Sequence, residues 1–413
     1  MSYKQLNKDE LQKLYDKCNK QYEQYKTLGL SLDMSRGKPG ADQLDLSMDL
    51  LTVLGPGDYK ASDGTDCRNY GGLDGIPEMK KMFADLMEVK PEEVLVGGNS
   101  SLTLMYESAV ALIKNKSKRK FLCPSPGYDR HFTITEYLGF ELVTVPMTPK
   151  GPDMAEVKKH VSDPAVAGLW CVPVFSNPQG VVYSDGIIKE MAALKPAADD
   201  FRIFWDNAYI VHSFEGDAPK ILNLLKECEA CGAYDRAVMF TSFSKITFPG
   251  AGVAALAASP ANLDMMRKHL MPQTIGPDKL NQLRHVRYFK DAAGIYSHMR
   301  KHAEALRPKF MTVLDILESK LGGKDIGTWL KPSGGYFISF DTLPGCAART
   351  IALCAEAGLV MTPAGAAYPY GKDPLDSNIR IAPSFPPLDQ LKQAMELFCT
   401  VVELAALERL LKT

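Results

Sequence analysis

Lys245 stands where an ammonium group is costly. The apolar run "AVMF" leads into "TSFSKITFPGAG", Thr241 to Gly252, and the lysine follows three hydroxyl residues. A lysine desolvated at such a place has a lowered pKa and forms Schiff bases with carbonyl carbons. Read by itself, it is equally an end-of-strand lysine whose head reaches water. Asp206 raises a matching question, because it ends the apolar run "RIFWD". A carboxylate there needs a cation, unless it caps a helix or pairs at the surface. Asn177, in "SNPQG", follows the run "GLWCVPVF" and is either a hydrogen-bonding group or turn chemistry. In "GGNSSLTLMY", two glycines with Asn99, Ser100 and Ser101 precede a helical pattern. Backbone N–H groups at a helix start favour an anion. The bland alternative is an N-cap made by Asn99 or Ser100.

The set is more specific than its members. A helix start suited to an anion, an amide, a carboxylate and a lysine follow successive apolar runs. Pyridoxal phosphate needs these parts: a phosphate cup, a donor to the ring oxygen, a carboxylate for the pyridine nitrogen and a lysine aldimine.

Such groups need strands to hold them. From about 94 to 258 the sequence supplies seven short apolar runs: "VLVGG", "FLCPSPG", "LVTVP", "GLWCVPVF", "RIFWD", "AVMFTS" and "VAALAAS". Helical patterns such as "SLTLMYESAVALIKN" and "DGIIKEMAALKPA" separate most of them. That alternation predicts an α/β fold with a mainly parallel, seven-stranded sheet between helices. Ligands then bind at the carboxyl ends of the strands. Residues 4–28 and 278–322 read as helix, "GGYFISFD" as a strand, and "ARTIALCAEAGL" and "LDQLKQAMELFCTVVELAALERLLK" as helices. The expected organisation is an N-terminal segment, 1–47, that joins a smaller α+β domain, 291–413. The large domain occupies 48–290.

Composition excludes several classes. Of 413 residues, 46% are hydrophobic and 23% charged, as in a soluble globular protein. Lys and Arg number 48 against 49 Asp and Glu, a net charge of -1, which gives no reason to expect nucleic acid or an anionic membrane as partner. No apolar run approaches the ~18 residues of a membrane span. The charged start, "MSYKQLNKDELQKLYDKCNK", lacks the apolar core of a secretory signal. The nine cysteines, odd in number and scattered, suit reduced thiols in a cytoplasm. Cys228 and Cys231 in "CEAC" have redox or zinc spacing, but no second pair or nearby histidine joins them, so helical spacing explains them.

With these landmarks in order, the chain resembles fold-type I pyridoxal-phosphate enzymes of the class I aminotransferase family. "NYGGLDGIPEMK", "GGNSSLTL", "PSPGYDRH", "SNPQG", "WDNAY", "SFSK" and "NIRIAPSF" carry the resemblance over nearly the whole length. "DMSRGKP", "GPDM" and "FSKITFPGAGVA" look like a subgroup often called MocR-like aminotransferases, some of which are aspartate aminotransferases.

The resemblance implies roles. Lys245 would form the internal aldimine and move the proton between Cα and C4′. Asp206 would keep the pyridine nitrogen protonated. Asn177 and Tyr209 would bond the ring oxygen, and Tyr128 would stack on the ring. Asn99, Ser100, Ser101, Ser242 and Ser244 would serve the phosphate. Tyr70 would reach the phosphate of a neighbouring subunit, which implies a homodimer. Arg380 would clamp the substrate α-carboxylate as a fork. Gly37 would lie close to the substrate, where a side chain obstructs.

One departure stands out. Many family members carry a phosphate-binding arginine eight residues after the lysine, where this chain has Val253. The MocR-like subgroup shares that departure. No basic helix-turn-helix pattern precedes the domain, so DNA binding is not expected. The implied reaction is ping-pong amino transfer, with aspartate as donor and 2-oxoglutarate as acceptor. Arg36, Lys38, Arg284 and Arg287 are the cations available to a distal carboxylate. The alternatives are β-elimination or decarboxylation on the same fold, or a non-catalytic effector-binding protein that keeps the cofactor.

Overall fold

Each of the seven apolar runs forms a strand of one sheet. The structure, a computed structural model, describes residues 2–114, 119–216 and 218–412. Met1, Asn115 and Thr413 of the expectations above lie outside it. In spatial order the strands are Val94–Val96, Ala254–Ala258, Ala237–Ser242, Arg202–Asp206, Val166–Cys171, Lys120–Ser125, Glu141–Thr148 and Gly151–Pro152. The eighth, Gly151–Pro152, is a two-residue edge strand too short to show in the pattern.

The four pairings at the centre are parallel. Ala254–Ala258 runs antiparallel to both its neighbours, so the sheet is mixed at that edge. Strand order reverses between Lys120–Ser125 and Val166–Cys171. A crevice at such a reversal, outside the strand carboxyl ends, is where open α/β sheets bind ligands. Tyr128 and Asn177 follow the two flanking strands.

Alternation of side chains gives the sheet two packed faces. Ile203, Trp205 and Met239 join one core, and Phe204, Val238 and Phe240 join the other. Trp170, Trp205, Phe121 and Phe204 are almost fully buried, and each contributes about 1.5–3 kcal/mol of hydrophobic stabilisation. A third core packs helices Lys8–Thr27, Ala347–Glu356 and Leu388–Lys412 around strands Ile338–Thr342 and Asn378–Ile381.

Two helix boundaries differ from expectation. The first helix spans Lys8–Thr27, begun by an Asn7–Glu10 capping box. The long helix read over 278–322 is two, Lys279–Phe289 and Ala292–Leu321. Lys290 takes a positive φ of 69 with ψ -51, which ends the first helix, and Asp291 caps the second helix through Gly294 N at 2.9 Å. That second helix starts among residues of one core (Ile295, Met299) and ends in the third (Leu306 to Leu321).

Candidate active site

Lys245 lies in the connection between the antiparallel strands Ala237–Ser242 and Ala254–Ala258, at the carboxyl end of the first. Its Nζ sits over the Tyr209 ring, 5.0 Å from the centroid. Burial pushes its pKa down; the Asp206 carboxylate opposes that shift and the Arg380 guanidinium adds to it. A fraction of neutral amine, the nucleophilic form, follows.

Asp206 ends its strand buried. One oxygen, Oδ2, lies 3.0 Å from His131 Nε2. His131 stacks on Trp170 at 4.2 Å and 7° and meets Tyr128 edge-on at 5.0 Å. His131 stood inside the motif "PSPGYDRH" without an assigned role. Its signal was the spacing, three residues after Tyr128 and therefore on the same helical face. Tyr209 is buried, and burial followed by the charges of Tyr128 and Asp206 pushes its phenol well up. Its hydroxyl therefore remains a donor at neutral pH.

Arg380, on the strand Asn378–Ile381, points to the same place. Its Nη1 donates to Asp129 Oδ1 at 2.9 Å and to Asn177 Oδ1 at 3.3 Å, and Nη2 reaches Thr362 Oγ1 at 3.4 Å. The guanidinium lies 4.8 Å from the centroid of the Phe337 ring. Asp129 stood in "PSPGYDRH" without an assigned role, and Thr362 and Phe337 had no local signal in the sequence, because only the fold brings them to Arg380. A Cβ on Gly37 would overlap Phe337 Cζ. The obstruction at Gly37 is thus with the ring under Arg380.

The hydroxyl cluster forms as a unit. Ser242 Oγ donates to Ser244 Oγ at 3.1 Å, and Ser244 Oγ to Asn99 O at 3.0 Å. Asn99 Nδ2 donates to Pro249 O at 3.3 Å. Ser100 precedes the helix Ser101–Leu112, yet its side chain makes no capping bond. The bland alternative of a Ser100 cap is therefore not realised, which leaves the helix start open to an anion. Val253 is buried in the core and supplies no cation. Tyr70 is exposed, at 85%.

Of the four cations named for a distal carboxylate, Arg287 is engaged with Asp58 at 3.0 Å. Lys38 Nζ lies 3.8 Å from the centroid of the Phe385 ring, and Arg36 is exposed. Arg284 bonds Asn281 and keeps a buried Nε with no partner among the described residues. Cys228 is buried in the core and Cys231 exposed.

The unmet bonds test the fit to pyridoxal phosphate. Asp206 Oδ1 and Arg380 Nε are buried and have no partner among the described residues. Buried polar atoms are normally satisfied. A protonated ring nitrogen would satisfy the first, a substrate carboxylate the second, and a phosphate would suit the open helix start. The residues present fit the group.

Comparison with known proteins agrees. The family model described as aspartate amino-transferase matches residues 6–413. An aspartate aminotransferase of Corynebacterium glutamicum is 45% identical over 95% of this chain and 94% of its own. A putative aminotransferase of Mycolicibacterium smegmatis is 45% identical over 100% and 99%. The crystal structure of an aspartate transaminase from C. glutamicum superposes with a TM-score of 0.96 at 44% identity, covering 99% of both chains. The chain belongs to the aspartate aminotransferase family of fold-type I enzymes, which transfer amino groups with pyridoxal 5′-phosphate.

Proposed function

We propose that this enzyme transfers the amino group of aspartate to 2-oxoglutarate in two half-reactions with ping-pong kinetics. The convergence of a depressed Lys245, the half-satisfied Asp206 and the Arg380 fork carries this reading. The 45% identity to an aspartate aminotransferase supports the choice of donor.

In this reading Asn99, Ser100, Ser101, Ser242 and Ser244 hold the phosphate, with Tyr70 reaching across a homodimer. Asp206 holds a proton on the ring nitrogen, His131 fixing the carboxylate. Asn177 and Tyr209 donate to the ring oxygen, and Tyr128 covers the ring. Bound pyridoxal phosphate supplies an electron sink for the pair left when the Cα–H bond breaks. Arg380 binds the α-carboxylate through Nε and Nη2. Lys245 Nζ removes the Cα proton and returns it at C4′. Gly37 leaves the Phe337 ring, and so Arg380, undisturbed.

The division into segment 1–47 and domains 48–290 and 291–413 is part of the proposal, as are the MocR-like affiliation and a cytoplasmic location. Free cysteines support the location.

A half-reaction screen tests the reading. Each amino acid is added to the holoenzyme and the visible absorbance of the cofactor followed. Aspartate and glutamate should bleach it. No change with aspartate, alongside bleaching by another amino acid, would overturn the choice of donor.

A further inference from the structure

Lys245 lies in an irregular connection, so its neighbouring carbonyls have no sheet ladder to accept from. Buried carbonyls need donors. Ile246 N and Thr247 N turn back to Phe243 O at 3.0 and 2.9 Å, which fixes one side of the segment. The other side is held by side chains from distant parts of the chain. Lys245 O lies 3.3 Å from His212 Nε2 and accepts from Tyr336 OH at 3.4 Å. Ile246 O lies 2.9 Å from His298 Nε2. Thr247 Oγ1 lies 2.9 Å from His285 Nε2. Three of the seven histidines in the chain are thus buried with a ring nitrogen against three consecutive residues.

The bonds have a direction. Gly40 N–H donates to Gln43 Oε1 at 3.3 Å, which orients the amide. Gln43 Nε2 then donates to Tyr336 OH at 2.8 Å and to His302 Nδ1 at 3.0 Å. Tyr336, receiving from Gln43, has its own hydrogen free for Lys245 O. His302, accepting at Nδ1, carries its proton on Nε2, 3.1 Å from His298 Nε2, an atom that either takes this bond or donates to Ile246 O, so the two rings share one proton arrangement at that carbonyl. Ser47 Oγ joins the same atom at 3.2 Å. His298 and His302 are one turn apart on the helix Ala292–Leu321, so they face the segment together. Gln43, His302, Ser47 and Tyr336 are all at 1% exposure or less.

We infer that Gln43, Tyr336 and the His298–His302 pair are positioning residues for Lys245, fixing its backbone so that the flexible side chain delivers Nζ to one place. The inference rests on the reading of Lys245 as the cofactor-bearing lysine. A side chain with four rotatable bonds is only as well placed as its Cα, and a misplacement of about 1 Å costs up to ~10²-fold in rate. Apolar residues in these places would fill the volume but leave the carbonyls of Lys245 and Ile246 short of donors. The network also starts at Gly40, beside the "RGKP" loop, and so ties that loop to the lysine.

The test compares Tyr336→Phe, His302→Leu and His302→Gln with the parent enzyme. Three readouts are taken: the pH midpoint of the holoenzyme's visible absorption change, the rate of Lys245 acetylation in apoenzyme by peptide mass spectrometry, and kcat and KM for aspartate. Tyr336→Phe and His302→Leu should shift the midpoint and the acetylation rate, and lower kcat by roughly tenfold with little change in KM. His302→Gln, which keeps polar atoms at the site, should restore most of the loss. If His302→Leu fails to fold, Tyr336→Phe decides alone, since it removes one oxygen. Cofactor trapped by borohydride on Lys245, with unshifted midpoints and acetylation rates, would overturn the positioning role alone. Trapping on another lysine would overturn the underlying reading and the positioning role with it.

Discussion

Asp206 gives one carboxylate oxygen to His131 Nε2 at 3.0 Å and keeps the other buried without a partner among the described residues. In the proposed reading the histidine selects which oxygen meets the ring nitrogen, and the Trp170 stack holds the histidine. Asp206→Asn should lower kcat by roughly 10²–10³-fold, the usual cost of removing a preorganised electrostatic partner. His131→Phe retains the stack but loses one charge-assisted bond of about 1.5 kcal/mol, so kcat should fall by about tenfold. Steady-state kinetics on the two variants would show the order, and equal losses would mean that His131 does more than orient.

Lys245→Ala should retain cofactor only non-covalently. Borohydride reduction followed by mass spectrometry of peptides should find the adduct on Lys245 in the parent enzyme and nowhere in the variant. Transamination should fall below detection. An adduct that survives in the variant would show that a different lysine carries the cofactor.

Gly37→Ala introduces a methyl group that overlaps the Phe337 ring beneath Arg380. Phe337 is a core residue with little room to yield. Overpacking of this kind costs about 1–3 kcal/mol, and here it should also displace the guanidinium. A lower melting temperature together with a higher KM for the amino acid is expected. An unchanged KM would separate Gly37 from substrate binding.

How much of this was legible in the sequence depends on how local each feature is. All seven principal strands showed, because each is a short apolar run fixed by its own residues. The helix break at Lys290–Asp291 did not show, since amphipathic spacing continues on both sides and the positive-φ residue is a lysine. Lys245, Asp206, Asn177 and Arg380 were legible because each is a polar group attached to an apolar run or motif. Thr362, Phe337, Tyr336 and His302 were not, as their contacts with the site join residues far apart in the chain. The reason for Gly37 likewise required the Phe337 ring to be in place.

Arg380→Lys should separate charge from geometry. Lysine keeps the cation near Asp129 but loses the planar fork and its Nε donor. A charge-assisted bond is worth about 1.5–3 kcal/mol, so KM for the amino donor should rise roughly 10–100-fold. Cofactor content, read from visible absorbance, should stay at the parent level. Loss of cofactor in this variant would mean that Arg380 supports the ring and not the substrate.

The buried histidines set the acid limit of the fold. Burial holds His212 and His302 at about 3 and His285 at about 4, against an ordinary value of 6.5 in the unfolded chain. Between those values the unfolded chain binds protons that the folded one refuses, so stability rises with pH. The contribution is complete above pH 6.5 and is lost as pH falls toward 4. At pH 5 each such histidine withdraws about 2 kcal/mol relative to pH 7. Denaturant melts of the holoenzyme at saturating cofactor should therefore show a steep loss of stability from pH 7 to pH 5. His285→Gln should flatten that slope whatever its effect on stability at pH 7, since one proton-binding group is gone from the unfolded chain. An unchanged slope in that variant would show that His285 is not held neutral by burial against Thr247 and Asn281.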